Sequence, residues 1–165
     1  MNIKKALNSI ALVIVFLFTI GLSVSHAELT VYNAEGRFLG ILVGNGISNT
    51  LDLYIPSVDR TLNINISTGD ITGRDIYFES YDCSGTAYVL PEASYRIVKN
   101  GEEYLTGKKV APASIVTNSV FRSYDASCEL LNSVRYAVPA QSIALPFTMP
   151  VLLPLSLHLE KRWKE

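Results

Sequence analysis

An alternating apolar pattern near the C-terminus limits most strongly how this chain folds. Between Ile143 and Leu159 every odd-numbered position carries an apolar side chain, and three even-numbered positions carry proline. A repeat of two residues indicates an extended chain with one buried face, because a helix repeats every 3.6 residues. Each proline removes a backbone donor, which predicts a sheet edge or polyproline-like stretches. We interpret 143–159 as the Pro-interrupted closing strand of the domain.

The rest of the chain after residue 27 consists of short runs rich in Val, Ile, Thr, Tyr and Phe, separated by Gly, Asn, Asp and Pro. No segment of about a dozen residues has a convincing helical period, and this pattern is typical of an all-β protein. The sequence therefore predicts a single antiparallel β-sandwich or partly closed barrel over 28–165. We predict strands at 29–33, 38–43, 50–55, 61–67, 75–80, 86–90, 95–99, 102–106, 115–124, 128–131 and 134–138, followed by the C-terminal segment.

Three turns suggest how neighbouring strands pair. Asn100-Gly101 favours a two-residue type I′ hairpin, which predicts Lys99 opposite Glu102 and Ile97 opposite Tyr104. A second hairpin turns at 34–36. In the hairpin over 51–67, one apolar set lies on odd positions and the other on even positions, so odd residues must face even ones. The predicted pairs are Leu53 with Ile64 inside, and Tyr54 with Asn63 and Asp52 with Asn65 on the outer face.

The first 27 residues have the organisation of a secretory signal peptide. Lys4 and Lys5 precede an apolar run at 10–22, and Ser25 and Ala27 stand three and one residues before a cut that leaves Glu28 first. The alternative is an uncleaved membrane anchor, because 6–24 is nearly long enough to cross a bilayer. We expect a secreted, periplasmic or cell-surface protein without a membrane span after the signal is removed.

The two cysteines, Cys83 and Cys128, both lie in the mature part of the chain, and their spacing does not match a Cys-x-x-Cys motif. In an exported protein such a pair favours a disulfide, which would close a loop of about 46 residues. Two reduced, buried thiols are the alternative.

The composition argues against several kinds of chemistry. Removal of the signal with Lys4 and Lys5 leaves 12 basic and 15 acidic residues. The mature chain therefore lacks the excess of basic residues that is typical of proteins that bind nucleic acid. His158 is then the only histidine, and the common nucleophile, metal and nucleotide motifs are absent from the sequence. We predict no catalytic residues, no metal and no cofactor.

Acidic residues keep one weaker alternative open. Asp70, Asp75, Glu79 and Asp82 lie close in sequence, and a glycoside hydrolase needs only two carboxyl groups across a cleft. Asp75 and Glu79 are the pair that such an enzyme would use. The segment 69–75 lacks the ligand spacing of a calcium loop and is better interpreted as a β-turn.

Tyrosine is the most informative aromatic residue, because all nine tyrosines lie after the predicted signal. If Phe78 points inward, Tyr77 points outward, and the hairpin register also puts Tyr54 outside. Outward tyrosines beside Asp52, Asn63 and Asn65 resemble in composition a face that binds sugars or proteins. These five residues, Asp52, Tyr54, Asn63, Asn65 and Tyr77, form the predicted binding face. An ordinary sheet surface is the alternative, since tyrosine is favoured in strands.

Three segments, VYNAEGRFLG at 31–40, TLDLYIP at 50–56 and DIYFESYDCSGTAYV at 75–89, resemble a β-rich domain of exported bacterial proteins, also found near collagen-like or tail-fibre-like segments. The residues that carry the resemblance are Gly36, Phe38, Gly40, Ile76, Tyr77, Phe78, Asp82, Cys83, Gly85 and Tyr88. It covers about the first half of the mature chain. The resemblance implies an exported bacterial β-domain and no catalytic residues.

Together these patterns predict a non-enzymatic surface or periplasmic binding or adhesion module. Its partner would be a glycan or a protein at the cell surface. The competing hypothesis is a structural or assembly subunit that uses its C-terminal segment for strand addition.

Overall fold

The computed structural model describes residues 26–45, 49–123 and 125–162. This part of the chain is all-β and contains one 3₁₀ turn, Pro91–Ala93. Its strands are β1 (His26–Tyr32), β2 (Phe38–Asn45), β3 (Thr50–Ile55), β4 (Arg60–Asn65), β5 (Ile76–Phe78), β6 (Ala87–Val89), β7 (Val98–Asn100), β8 (Glu103–Gly107), β9 (Ala113–Arg122), β10 (Ser127–Ser142) and β11 (Ser156–Arg162). Every run predicted between 29 and 138 overlaps a strand, and the last two merge into the single long β10.

The strands form two antiparallel sheets. One sheet has the order β11-β1-β2-β3-β4, and the other has the order β6-β5-β9-β10-β8-β7. Because β6 pairs with β10 as well as with β5, the second sheet partly closes on itself. Of the two predicted architectures, a β-sandwich or a partly closed barrel, the all-β sandwich of two antiparallel sheets is confirmed.

Residues Glu28–Leu159 form one compact unit, and the outer ends of β1 and β11 belong to a second unit. The predicted signal peptide lies almost wholly outside the described residues, so the boundary at residue 27 stays a prediction. The three described pairs between β1 and β2 involve Thr30, Val31 and Tyr32. All three lie after the predicted cut.

Each sheet contributes to its own hydrophobic cluster. The first cluster lies under β1–β4 and consists of Val31, Leu39, Leu53, Ile55, Leu62, Ile64, Ile71, Ile97, Phe147 and Val151. The second lies inside the partly closed sheet and consists of Ile76, Phe78, Val89, Val98, Leu105 and Val138. Burial of side chains of this size supplies the main favourable term for folding.

The edge of β4 joins the two sheets. The Thr61 amide donates to the Tyr95 carbonyl at 3.0 Å, and the Ile97 amide donates to the Thr61 carbonyl at 2.8 Å. Next to them, the buried Arg60 side chain donates through Nε to Thr106 Oγ1 on β8 at 2.8 Å. Backbone and side-chain hydrogen bonds therefore connect the two sheets at this edge, which we call the seam.

The β3–β4 hairpin has the predicted faces but a different register. Leu53 lies opposite Leu62 instead of Ile64, a shift of two residues that keeps the apolar side chains of β3 and β4 inside. Ile66, just after β4, is exposed. The connection is short because the Val58 amide bonds to the Ile55 carbonyl and Asp59 takes a φ of 53°. A tight turn therefore selects the register among those that the apolar pattern allows.

The turn at 34–36 is confirmed, but the β7–β8 register was predicted wrongly by two residues. Gly101 and Glu102 form the loop, with Gly101 at a φ of 60°, so Lys99 lies opposite Tyr104. This register pairs the buried Val98 with the buried Leu105. Core packing thus overrides the local preference of the Asn-Gly pair.

The C-terminal segment is only partly a strand, and the predicted closing strand over 143–159 is wrong in extent. Residues 143–155 form no strand, although apolar odd positions from Ile143 to Leu155 pack on the first cluster. Strand pairing begins only at β11, after the last proline. On β11, Leu157 and Leu159 are exposed, so these odd-numbered side chains after the last proline no longer point into the core.

Candidate functional site

Four residues of the predicted binding face lie together on the outer face of the first sheet. Asp52 lies opposite Asn63, and the neighbouring pairs place Tyr54 and Asn65 on the same side. The alternation of β3 and β4 accounts for this, because Leu53 and Leu62 point into the core. The sequence therefore predicted this part of the face correctly in position.

Hydrogen bonds within the protein occupy this outer face. Asp52 Oδ1 accepts a bond from Asn63 Nδ2 at 2.8 Å and an ion-paired bond from Arg96 Nη1 at 2.9 Å. Asn65 Oδ1 accepts the backbone amides of Ser67 and Thr68, which closes the turn after β4. These groups hold strands and turns, and several of their polar atoms already bond within the protein.

Tyr54 has a similar structural partner. Its hydroxyl donates to Asp59 Oδ1 at 3.1 Å, and Lys109 Nζ donates to Asp59 Oδ2 at 2.6 Å. The Lys109 hydrogen bond, followed by the Tyr54 hydroxyl, lowers the pKa of Asp59. The bond to Asp59 raises the pKa of Tyr54.

Tyr77 does not belong to this face, which corrects the prediction. It lies on β5 in the second sheet, and its side chain is only 6% exposed. Phe78 does point into the core, so Tyr77 takes the opposite side as expected. That side is covered, because the Arg135 guanidinium lies 5.3 Å from the centre of the Tyr77 ring.

Tyr77 instead lines a half-open pocket of about 340 Å³. The pocket lies where the loop before β5 meets the 3₁₀ turn after β6, and its wall consists of Gly73, Arg74, Asp75, Tyr77, Leu90, Glu92 and Ala93. We call it the Tyr77 pocket. Its volume is near the lower end of the range of small-ligand sites, roughly 300–1,000 Å³.

The hydroxyl of Tyr77 makes no hydrogen bond within the described part of the chain, although the side chain is largely buried. Because this hydroxyl oxygen is not among the fully buried polar atoms without a partner, it must reach solvent. The surface that Tyr77 lines is the Tyr77 pocket. Burial, and secondarily the Asp75 carboxylate, raise the pKa of Tyr77. Tyr77 therefore brings to the pocket wall a neutral hydroxyl group, which can both donate and accept.

Charged side chains of both signs surround the Tyr77 pocket. Asp75 Oδ2 accepts a short ion-paired bond from Arg122, whose Nε also bonds to Glu129 at 3.0 Å. Arg74 and Glu92 add one cation and one anion to the wall. The Arg122 bond leaves Asp75 Oδ1 available to a ligand, since no bond to that oxygen forms within the described residues.

The four acids considered as catalytic candidates have separate partners. Asp70 pairs with Lys99, Asp75 with Arg122, Glu79 accepts the Tyr88 hydroxyl, and Asp82 accepts the Ser84 hydroxyl. Over 26–162, apart from the undescribed positions, no three His, Cys, Asp or Glu residues gather in a group that could hold a metal.

Cys83 and Cys128 lie at disulfide distance, with Cα atoms 6.0 Å apart. The link attaches the loop between β5 and β6 to β10, and the Cys83 amide donates to the buried Ser119 hydroxyl at 2.9 Å. Ser119 in turn donates to the Ser80 carbonyl at 2.8 Å. The loop is thus fixed at two points.

The sequence reasoning did not find the Tyr77 pocket. Its wall comes from 73–77 and 90–93, two segments with no shared motif, brought together by the pairing of β5 with β6. The sequence signals were Tyr77, assigned to the wrong surface, and Asp75, considered as a catalytic acid.

Among the described helices and strands, no helix is long and apolar enough to cross a membrane. No protein-family model matches the chain, and neither a curated protein nor a solved structure matches it. The resemblance to an exported bacterial domain therefore stays a prediction from short motifs.

Proposed function

We propose that the protein is an exported, non-enzymatic recognition module that binds a small polar ligand in the Tyr77 pocket. The observation that supports this most is Tyr77, which lines the pocket and whose hydroxyl makes no hydrogen bond within the described part of the chain. Because this hydroxyl reaches solvent, a ligand that bonds to it replaces water there and gains the net value of one hydrogen bond. The outer face of the first sheet is a weaker site, because its polar atoms already bond to each other.

A screen of the purified protein against bacterial and host glycans tests the proposal. Tyr77→Phe removes only the hydroxyl and keeps the ring under Arg135, so we expect binding to weaken about 3–10-fold, the effect of one hydrogen bond. Tyr54→Phe is the matched control and should bind normally. Loss of binding in Tyr54→Phe alone would place the site on the outer face and contradict the proposal.

Export is a separate element of the proposal. The basic start, apolar run and small residues before Glu28 support it. N-terminal sequencing of the protein from an exporting bacterium should give Glu28 as the first residue. A retained Met1 would favour the membrane-anchor alternative.

One observation favours the assembly subunit as a second candidate. In the described part of the chain, β11 ends the first sheet and exposes Leu157 and Leu159, which suits pairing with a strand of another copy. The segment at 143–155 is not available for this role, because Phe147 and Val151 are buried in the first cluster. Leu157→Lys with Leu159→Lys should turn an oligomer into a monomer if this candidate is correct.

A further inference from the structure

The charges around the Tyr77 pocket nearly cancel. Arg122 is shared between Asp75 and Glu129, and Arg135 adds a cation over the Tyr77 ring. Arg74 and Glu92 in the wall have opposite signs. A ligand with a net negative charge would meet two carboxylates in the wall, and a positive ligand would meet Arg74. Neither sign gains a clear Coulomb advantage, which favours an uncharged ligand.

The hydrogen-bonding groups of the wall have mixed character. Tyr77 offers a hydroxyl that both donates and accepts, Arg74 only donates, and Asp75 and Glu92 only accept. A ligand with adjacent hydroxyl groups matches this set, because each hydroxyl donates one bond and accepts others. A ligand with acceptors alone could bond to neither Asp75 Oδ1 nor the Glu92 carboxylate.

The rest of the wall is small and apolar. Leu90, Ala93 and Gly73 line the pocket without bulky groups, and Ala93 is buried behind it. This surface suits the C–H groups of a sugar ring, while the hydroxyls meet the polar side chains. A volume of about 340 Å³ suits a terminal sugar unit better than a long chain.

We infer that the Tyr77 pocket takes an uncharged sugar unit with adjacent hydroxyl groups. The inference rests on the proposed function and narrows it to one ligand class. The inference can be tested by comparing a neutral sugar with the sugar acid and the amino sugar of the same ring, because these three ligands differ mainly in charge.

Calorimetric titration of the purified protein with a hexoside from a positive screen, its uronic acid and its amino sugar tests the inference. We expect the neutral hexoside to bind at least threefold more tightly than either charged form, with an affinity that salt does not change. Arg74→Ala and Glu92→Gln, both at exposed positions, should each weaken neutral-sugar binding. Arg37→Ala, an exposed arginine outside the pocket, should have no effect.

The outcomes separate the two proposals. Tightest binding of a charged form, weakened by salt and by Tyr77→Phe, would overturn the ligand class and keep the recognition function. Binding that is unaffected by Tyr77→Phe, Arg74→Ala and Glu92→Gln would overturn the site. No binding by any sugar in the screen or the titration would overturn both. An unchanged unfolding midpoint of each variant shows that the fold is intact.

Discussion

Arg60 is a buried cation whose hydrogen bonds cross from the first sheet to the second. Its guanidinium bonds to Thr106 Oγ1 at 2.8 Å and reaches the Gly107 carbonyl at 3.5 Å, while Nη1 bonds to the Asp59 carbonyl at 2.7 Å. Arg60→Ala leaves these acceptors without a donor, so we expect the free energy of unfolding to fall by about 2–3 kcal/mol.

Denaturant unfolding measures this change. Arg60→Lys should restore little, because one ammonium group cannot replace a planar fork of donors. Arg37→Ala, at an exposed position, should change stability by less than about 0.5 kcal/mol. Equal stability of Arg60→Ala and Arg37→Ala would show that the seam does not depend on Arg60.

The raised pKa of Tyr77 predicts an alkaline dependence of stability. Burial and Asp75 make the tyrosinate less favourable in the folded state. The contribution of Tyr77 to the free energy of unfolding is fully present below the pKa of about 10 in the unfolded chain. It is lost as the pH rises through the higher pKa of the folded state. Tyr77→Phe should therefore lose less stability than the wild type when the pH is raised above about 10.

The measurement is the unfolding midpoint across alkaline pH for the wild type and Tyr77→Phe. At neutral pH the unfolding midpoints of the wild type and Tyr77→Phe should be nearly equal. The Tyr77 hydroxyl makes no hydrogen bond within the described residues that the variant would lose. Tyr81→Phe controls for removing an exposed hydroxyl. Parallel pH profiles for the wild type and Tyr77→Phe would contradict the environment described for Tyr77.

Single-residue patterns predicted which way side chains point, but not what covers them. Alternation placed Phe78 inward and Tyr77 on the opposite side correctly. The covering of Tyr77 comes from Arg135 on β10, which is far away in sequence and has no motif that links it to β5. A contact between residues that are so distant in sequence cannot be predicted from a local alternation of side chains.

At the scale of elements, Gly69 fixes the Pro-rich segment against the first sheet. It has a φ of 72°, and its carbonyl accepts the Val151 amide at 2.8 Å. A Cβ at this position would lie 2.2 Å from the Val151 carbonyl oxygen. Gly69→Ala therefore pushes the segment away and should cost about 1–3 kcal/mol beyond the backbone strain.

Gly36 provides a matched control for this prediction. It has a similar φ of 74°, but an added Cβ would meet nothing within 4 Å. Gly36→Ala should cost only the strain of the left-handed conformation, about 1–2 kcal/mol. Thermal unfolding compares the two, and equal losses would mean that the Val151 contact is unimportant.

The disulfide is a second device at this scale. Closing a loop of about 46 residues stabilises the fold by roughly 4 kcal/mol in the chain-entropy account. We expect a reductant to lower the unfolding midpoint of the wild type and to leave a double variant, Cys83→Ser with Cys128→Ser, unchanged. Two titratable thiols in native, unreduced protein would contradict the link.

Strand positions were largely predictable, whereas registers were not. Runs of β-favouring residues and turn residues located the strands, because those signals are local. The β3–β4 and β7–β8 registers each shifted by two residues, since a tight turn decided the first and the pairing of Val98 with Leu105 decided the second. The apolar alternation correctly predicted a buried face for 143–155, but the segment is not the regular strand that we predicted.

At the scale of the whole molecule, the sequence predicted two-layer β architecture but not its division into two clusters. That division follows from the sheet orders, in which β7 and β8 lie beside β10 although β9 separates them along the chain. It also creates the Tyr77 pocket, because β5 and β6 close against β9 and β10. Sheet order depends on contacts between distant segments, which short patterns do not specify.

The most direct test of the account is to locate the bound sugar on the protein by NMR. On adding the neutral hexoside, backbone amide shifts should change at 73–77 and 90–93, which form the wall of the Tyr77 pocket. Tyr77→Phe should reduce these changes at the same sugar concentration. Changes confined to 50–54 and 61–65, on the outer face of the first sheet, would contradict the central claim.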